Sequence, residues 1–269
     1  MPELPEVQTI VNTLRPRVVG RTIASVSLHR QDIVTPPETD LSRYLTGHAI
    51  SGVERRGKRI VFELDNGHRF YIHLGMTGRL SVQPASEPLL RHTHLVLELG
   101  SSGELRFTDP RRFGGVWWLG DCADGDSDMG PEPLNLRPQQ LLGRLRKTTR
   151  AIKNALLDQR VLAGLGNIYI DESLFDAGIH PLSRACELSP DQVRRLNRAI
   201  KSTLRRALRH RGSTLRDYRD ADGEAGGFQK LHRVYDREGQ PCRRCRTPIA
   251  RIVLGGRSTH FCPKCQRFS

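Results

Sequence analysis

Two sets of residues in this chain have the types and spacing for chemistry. The first is Cys242-x2-Cys245, a sixteen-residue interval, and then Cys262-x2-Cys265. Each pair bends into a turn that aims two sulfurs at one point, and two such pairs match tetrahedral zinc spacing. Four thiolates leave no open coordination position, so the implied metal is one structural zinc ion. The second set is at the chain start, where Pro2 and Glu3 follow the initiator Met1. Removal of Met1 would leave a secondary amine. Alpha-amino groups titrate near ~8, so a usable neutral fraction exists at neutral pH. Such an amine can attack an anomeric carbon and form an iminium. The cationic iminium acidifies the neighbouring sugar proton, so elimination can follow. Glu3 beside it could shuttle protons. Taken alone, Pro2 reads more readily as a helix-entry proline than as a nucleophile.

The polymer around these residues is strongly basic. Of 269 residues, 43 are Lys or Arg and 29 are Asp or Glu, for a formal net charge of +14. Charge speaks to partners rather than to fold, and nucleic acid is the commonest polyanion for a basic protein. No run of about 18 apolar residues is present, which excludes an apolar membrane helix. The opening Met1-Pro2-Glu3-Leu4-Pro5-Glu6 lacks the basic region and apolar stretch of a secretory signal, so a cytoplasmic, nucleoid-associated protein is expected. In that compartment disulfides are rare, and Cys122 and Cys186 read as ordinary thiols.

The elements that must position these groups can be outlined from periodicity. Val7, Ile10, Val11 and Leu14 recur at helical spacing, with Pro5 and Glu6 suited to a first turn. The next hundred residues read as strands. Arg59 to Leu64 and Arg69 to Leu74 flank Asp65-Asn66-Gly67, a hairpin signal, and His94 to Leu99 and Glu104 to Phe107 flank Gly100 to Gly103. Val116 to Leu119 is a further strand. Short strands at this spacing suggest a sandwich or barrel. The stretch from Cys122 to Pro138 reads as a linker. Beyond it lie helices: one over Ala151 to Leu157, and one from Ser189 and Pro190 to about His210. The arginine-rich face of that last helix fits a solvated surface as well as a DNA contact.

These pieces together resemble one family, the bacterial formamidopyrimidine-DNA glycosylases. The resemblance is carried by the opening MPELPEV, Gly57-Lys58-Arg59, His73-Leu74-Gly75-Met76-Thr77-Gly78, Thr108-Asp109-Pro110-Arg111-Arg112-Phe113-Gly114, Gly164-Leu165-Gly166-Asn167-Ile168-Tyr169, Gly178-Ile179-His180-Pro181, and the cysteine segment with Gly256-Arg257-Ser258-Thr259-His260-Phe261. It runs from the first residue nearly to the last. It implies an α+β fold: an N-terminal β-sandwich with a leading helix over 1–132, a helical helix-two-turns-helix lobe over 133–225 and a β-hairpin zinc finger over 226–269.

The resemblance also implies the activity: excision of oxidised purines (8-oxoguanine and formamidopyrimidines) from double-stranded DNA, then cleavage of the abasic strand on both sides of the sugar. A monomer is expected. Pro2 resembles the Schiff-base nucleophile and Glu3 the acid that protonates the sugar ring oxygen. Lys58 resembles the lysine of the first elimination and Arg257 the zinc-loop arginine of the second. Met76, Arg111 and Phe113 resemble the trio that fills the gap left by an everted base, with cytosine opposite. Flipping costs a few kcal/mol of stacking and pairing, which apolar wedges partly replace. His92, Arg112, Arg150, Lys153 and Asn167 are expected as further DNA contacts, and residues 213–229 correspond to a lesion-capping loop. Two alternatives differ in residues. The endonuclease VIII type, for oxidised pyrimidines, usually has Gly at the position of Leu4 and lacks the Arg111-Arg112-Phe113 wedge. A non-catalytic zinc-containing DNA binder would have no use for Pro2, Glu3 and Lys58 together.

Overall fold

The computed structural model describes residues 1–121 and 129–268. Cys122 and the first part of the expected linker lie outside the described residues. Contacts divide the chain into two compact units, Met1–Ser127 with Arg211–Gly227, and Asp128–His210 with Phe228–Ser269.

The first unit opens with helix α1 (Leu4–Val18), whose Val7, Ile10, Val11 and Leu14 are buried as the periodicity predicts. Then come β1 (Ser25–Leu28), β2 (Val34–Thr35), the short α2 (Leu41–Leu45), β3 (Ile50–Arg56), β4 (Arg59–Leu64), β5 (Arg69–His73), β6 (Arg79–Gln83), β7 (Thr93–Glu98), β8 (Glu104–Thr108) and β9 (Gly115–Gly120). The strands form a four-stranded sheet in the order β1-β7-β8-β6 and a five-stranded sheet in the order β2-β9-β5-β4-β3. Both hairpins expected from Asp65-Asn66-Gly67 and Gly100 to Gly103 form, as β4–β5 and β7–β8. The inward-facing residues of the two sheets, among them Ile60, Phe62, Phe70, Leu95 and Phe107, share one core with the apolar face of α1. This is the β-sandwich with a leading helix.

Segment 211–227 belongs to this unit because α1 holds it. The Glu6 carboxylate accepts the Ser213 amide at 2.7 Å, and the Glu6 carbonyl accepts the Tyr218 hydroxyl at 3.2 Å. Gly212 is required there: its φ is +78°, and a Cβ would come within 2.5 Å of the Glu6 carboxylate.

The second unit contains α3 (Pro138–Leu145), α4 (Ile152–Leu157), α5 (Asn167–Ala177), α6 (Pro190–Arg209) and a hairpin of β10 (Ala250–Leu254) and β11 (Arg257–Phe261). Helix α6 begins as expected. The Ser189 hydroxyl accepts the Gln192 amide, and the Gln192 side chain accepts the Ser189 amide at 2.7 Å, a reciprocal cap. Its Val193, Leu196, Ile200 and Leu204 are buried, and the helix packs on α5 and α3. Helix α5 ends at Gly178, in the left-handed conformation with φ of +69°. The hairpin packs against α5.

Candidate active site and metal centre

Helix α1 is fixed to β3 by side chains that reach across between them. The Arg15 guanidinium donates to the Val53 carbonyl at 2.8 Å, and the Arg55 guanidinium donates to the Gln8 side chain at 2.9 Å. Moving towards the start of α1 therefore moves along β3 towards the Gly57–Lys58 turn. Pro2 is buried, Glu3 is 3% exposed and Lys58 is 7% exposed, unusual for charged residues. The Glu3 amide donates to the Glu6 carboxylate at 2.8 Å, so Glu6 fixes both the chain start and segment 211–227. From the sequence, Glu6 has only the place of a first-turn helical acid.

On β5, His73 pairs with Arg59. Burial, reinforced by the positive charges of Lys58 and Arg59, lowers its pKa to about 4. Its ring is thus neutral at physiological pH, and Nδ1 accepts the Gly75 amide at 3.2 Å. That bond begins the loop carrying Met76.

Met76 and Phe113 are large apolar residues left 45% and 56% exposed, on adjoining loops. Side chains of this kind ordinarily pack in a core, and their exposure decides against that here. A Cβ on Gly75 would meet the Phe113 backbone at 2.4 Å, so only glycine lets the two loops touch. The fully buried Asp109 binds them together. It accepts the Thr77 hydroxyl at 2.5 Å, the Gly114 amide at 2.8 Å and the Arg111 amide at 3.3 Å. The Arg111 guanidinium lies over the Phe113 ring, 4.6 Å from its centroid. An aspartate before a proline reads from sequence as a turn former, so this role was missed.

His92 and Arg112 are exposed non-glycine residues with positive φ, at +69° and +55°. Arg112 pairs with Asp32 at 3.2 Å, both about half exposed.

In the second unit the sulfurs of Cys242, Cys245, Cys262 and Cys265 lie within 4.8 Å of one another. Zinc–sulfur bonds of about 2.3 Å place tetrahedral ligands ~3.8 Å apart, and the Cys242–Cys265 and Cys245–Cys262 separations of 4.0 and 3.4 Å bracket that. The donor set fits one structural zinc ion. Around it is a small apolar cluster of Phe175, Val234, Ile249 and the buried cysteines, so the metal must hold this end of the unit together.

Arg257 is exposed at the start of β11. Asn167, the first residue of α5, donates to the Ser258 carbonyl at 2.9 Å, and its own side-chain oxygen is buried with no partner among the described residues. Arg150 is exposed and pairs with Asp158 at 3.1 Å. Lys153 differs from expectation. It is fully buried, and its ammonium donates to Asp171 at 2.7 Å and to the Ser258 carbonyl at 2.9 Å. A phosphate contact would require pulling it from a buried counter-ion, so Lys153 is corrected to an internal residue. Glu172, also missed, is buried and accepts the backbone amides of Arg233, Val234 and Tyr235, each at 2.9 Å. Burial pushes its carboxyl above the usual range, against the pull of those amides.

The chain matches three family models in succession: the formamidopyrimidine-DNA glycosylase N-terminal domain over residues 1–116, the formamidopyrimidine-DNA glycosylase H2TH domain over 129–219, and the zinc finger found in FPG and IleRS over 239–267. The chain belongs to the formamidopyrimidine-DNA glycosylase family. Within this family, the Geobacillus kaustophilus formamidopyrimidine-DNA glycosylase is 45% identical, covering 99% of this chain and all of the relative. The Roseiflexus enzyme is 46% identical with the same coverage. Among solved structures, a Lactococcus lactis FPG variant in complex with a Fapy-dG containing DNA matches with a TM-score of 0.92 at 36% identity, over 99% of this chain and 100% of that one. MutM (FPG) from Thermus thermophilus matches with a TM-score of 0.89 at 41% identity, over 98% of each chain. The family's three modules thus span the described sandwich, helical lobe and cysteine hairpin.

Proposed function

We propose that this chain is a bifunctional DNA glycosylase and abasic-site lyase that removes oxidised purines from duplex DNA in base excision repair. The observation that carries the reading is the first unit's pairing of a buried Pro2–Glu3 start with an exposed Met76/Arg111/Phe113 wedge. Nothing in packing rewards exposing those two apolar side chains, whereas insertion into a base stack does. Arg111 beside them offers donors to the orphaned cytosine.

In this reading, loss of Met1 frees the Pro2 nitrogen. The nitrogen attacks C1′ of the extruded nucleotide, the N-glycosidic bond breaks, and the base departs with a proton. Glu3 protonates the ring oxygen as the sugar opens, leaving an iminium between Pro2 and C1′. Loss of a C2′ proton expels the 3′ phosphate, and a second elimination expels the 5′ phosphate. Lys58 and Arg257 are assigned to offset the charge on the two leaving phosphates. Asn167, His92, Arg112 and Arg150 are assigned to the DNA backbone. The zinc holds the Arg257 hairpin and takes no chemical step. In this role the chain works at the nucleoid.

Borohydride with duplex containing 8-oxoguanine tests this. An active glycosylase-lyase is trapped covalently through Pro2; a simple binder leaves no adduct. Parallel duplexes carrying oxidised pyrimidines separate the purine enzyme from the endonuclease VIII type.

A further inference from the structure

The tip of the zinc hairpin is held by an internal ion pair that the chemistry above does not use. Lys153 on α4 and Asp171 on α5 are both within 1% of complete burial. The Lys153 ammonium bridges one Asp171 oxygen, at 2.7 Å, and the Ser258 carbonyl, at 2.9 Å. The other Asp171 oxygen accepts the His260 backbone amide at 2.8 Å. Asn167 adds a second bond to the Ser258 carbonyl at 2.9 Å. On the far side of the tip, a Cβ on Gly255 would lie only 3.0 Å from the Asn154 side-chain oxygen, so the turn abuts α4. Arg257 stands between these fixed points, exposed, directly before Ser258.

Burying two charges costs several kcal/mol per ion, and an apolar pair of the same volume would pack α4 on α5 as well or better. What an apolar pair could not do is bond the backbone of β11 at two places. A two-stranded hairpin is marginal alone, and its tip would otherwise drift. Misplacement by about 1 Å can cost about 10²-fold in rate. We propose that the Lys153–Asp171 pair is a positioning device that fixes β11 so that Arg257 meets the phosphate expelled in the second elimination. This rests on the assignment of Arg257 under Proposed function. Neither residue touches DNA; both act through the Ser258 carbonyl and the His260 amide.

The test is a double variant, Lys153→Met with Asp171→Leu, which removes both charges while keeping apolar volume. Single-turnover reactions on abasic-site duplex would read the two elimination products separately, with borohydride trapping, zinc content and unfolding temperature as controls. We expect the second elimination to slow about 10- to 100-fold. Trapping and the first elimination should stay within about twofold of the wild-type chain, with zinc retained. A purely structural role would move every step together, or none. A folded, zinc-loaded double variant with wild-type product ratios overturns the inference. If the double variant does not fold, Asp171→Asn alone is read in the same way, since it keeps the size of the side chain and loses the charge. Arg257→Ala runs alongside. If it lowers the second elimination and the pair variants do not, the positioning role falls while the arginine assignment stands. If Arg257→Ala leaves the product ratio unchanged, both fall.

Discussion

The Asp109 carboxylate accepts the Thr77 hydroxyl at 2.5 Å, joining the loop that exposes Met76 to the loop that exposes Phe113. The same carboxylate accepts the Gly114 amide at 2.8 Å, so one fully buried charge holds both wedges. Replacing it should cost stability and discrimination together. Hydrogen bonds to a charged group contribute about 1.5–3 kcal/mol each, and the losses are not additive. Asp109→Ala should lower unfolding free energy by about 3 kcal/mol. It should also erode the preference for cytosine opposite the lesion, while abasic DNA is still trapped. Denaturant melts and excision opposite each of the four bases check this; intact base preference would break the link between Asp109 and the wedge.

Pro2→Gly keeps a free terminus but replaces the secondary amine. Trapping by borohydride should fall by orders of magnitude, with affinity for lesion duplex unchanged within about twofold, because the contacts assigned to phosphate remain. Equal trapping by the variant would remove Pro2 as the nucleophile. An intact mass showing Met1 retained would account for an inactive preparation.

Acid should destabilise the fold in a defined window. Burial holds both His73 and His232 at about 4, below the ordinary histidine value. In the unfolded chain both take a proton near pH 6.5. Between about 6.5 and 4 the unfolded state therefore binds more protons, and stability falls as the pH falls. The loss is complete below the folded values and absent above pH 7. Each neutral ring contributes at most about 1.4 kcal/mol per pH unit, less for the partly exposed His73. Denaturant midpoints at pH 7, 5 and 4 measure the slope, and His232→Gln should flatten it. A slope unchanged by that substitution would mean the proton uptake lies elsewhere.

Metal removal should act on the second unit first. Structural zinc contributes about 10–16 kcal/mol of apparent binding energy in small cysteine modules. Its loss leaves four thiols around a small apolar cluster. A chelator, or Cys245→Ala, should abolish DNA binding and release the β10–β11 amides to hydrogen exchange, while the sandwich of the first unit keeps its protection. Full activity without zinc would show that the hairpin stands without it.

DNA affinity should fall linearly on a log-log salt plot, at about −0.9 per phosphate neutralised. Each of Arg112→Ala, Arg150→Ala and Lys58→Ala should make the slope shallower by about one. With Arg257→Ala already in place, so that no shift of that arginine contributes, Lys153→Met should leave the slope unaltered, because that ammonium is committed to Asp171. A further shallowing of the slope by Lys153→Met in that background would reinstate Lys153 as a DNA contact.

The local signals sufficed wherever the physics is local. Cysteine spacing, the Ser189 cap, the two hairpin turns and the apolar period of α1 each depend on a few neighbouring residues, and each appears where the sequence puts it. The sequence by itself thus determined the metal ligands, the element types and the residue kinds available for chemistry. Only the tertiary structure decided which polar groups are consumed inside. Lys153 looks like any basic residue in a basic stretch, yet packing of α4 on α5 gives it a buried carboxylate. Asp109, Glu6 and Glu172 look like turn or helix acids, yet each accepts a bond from a segment brought near by folding: Asp109 from the Thr77 hydroxyl, Glu6 from the Ser213 amide and Glu172 from the Tyr235 amide. Met76 and Phe113 look like core residues, and only the sandwich's own filled interior leaves them outside. Burial and partner choice are set by contacts between distant segments, and these carry no local periodicity to read.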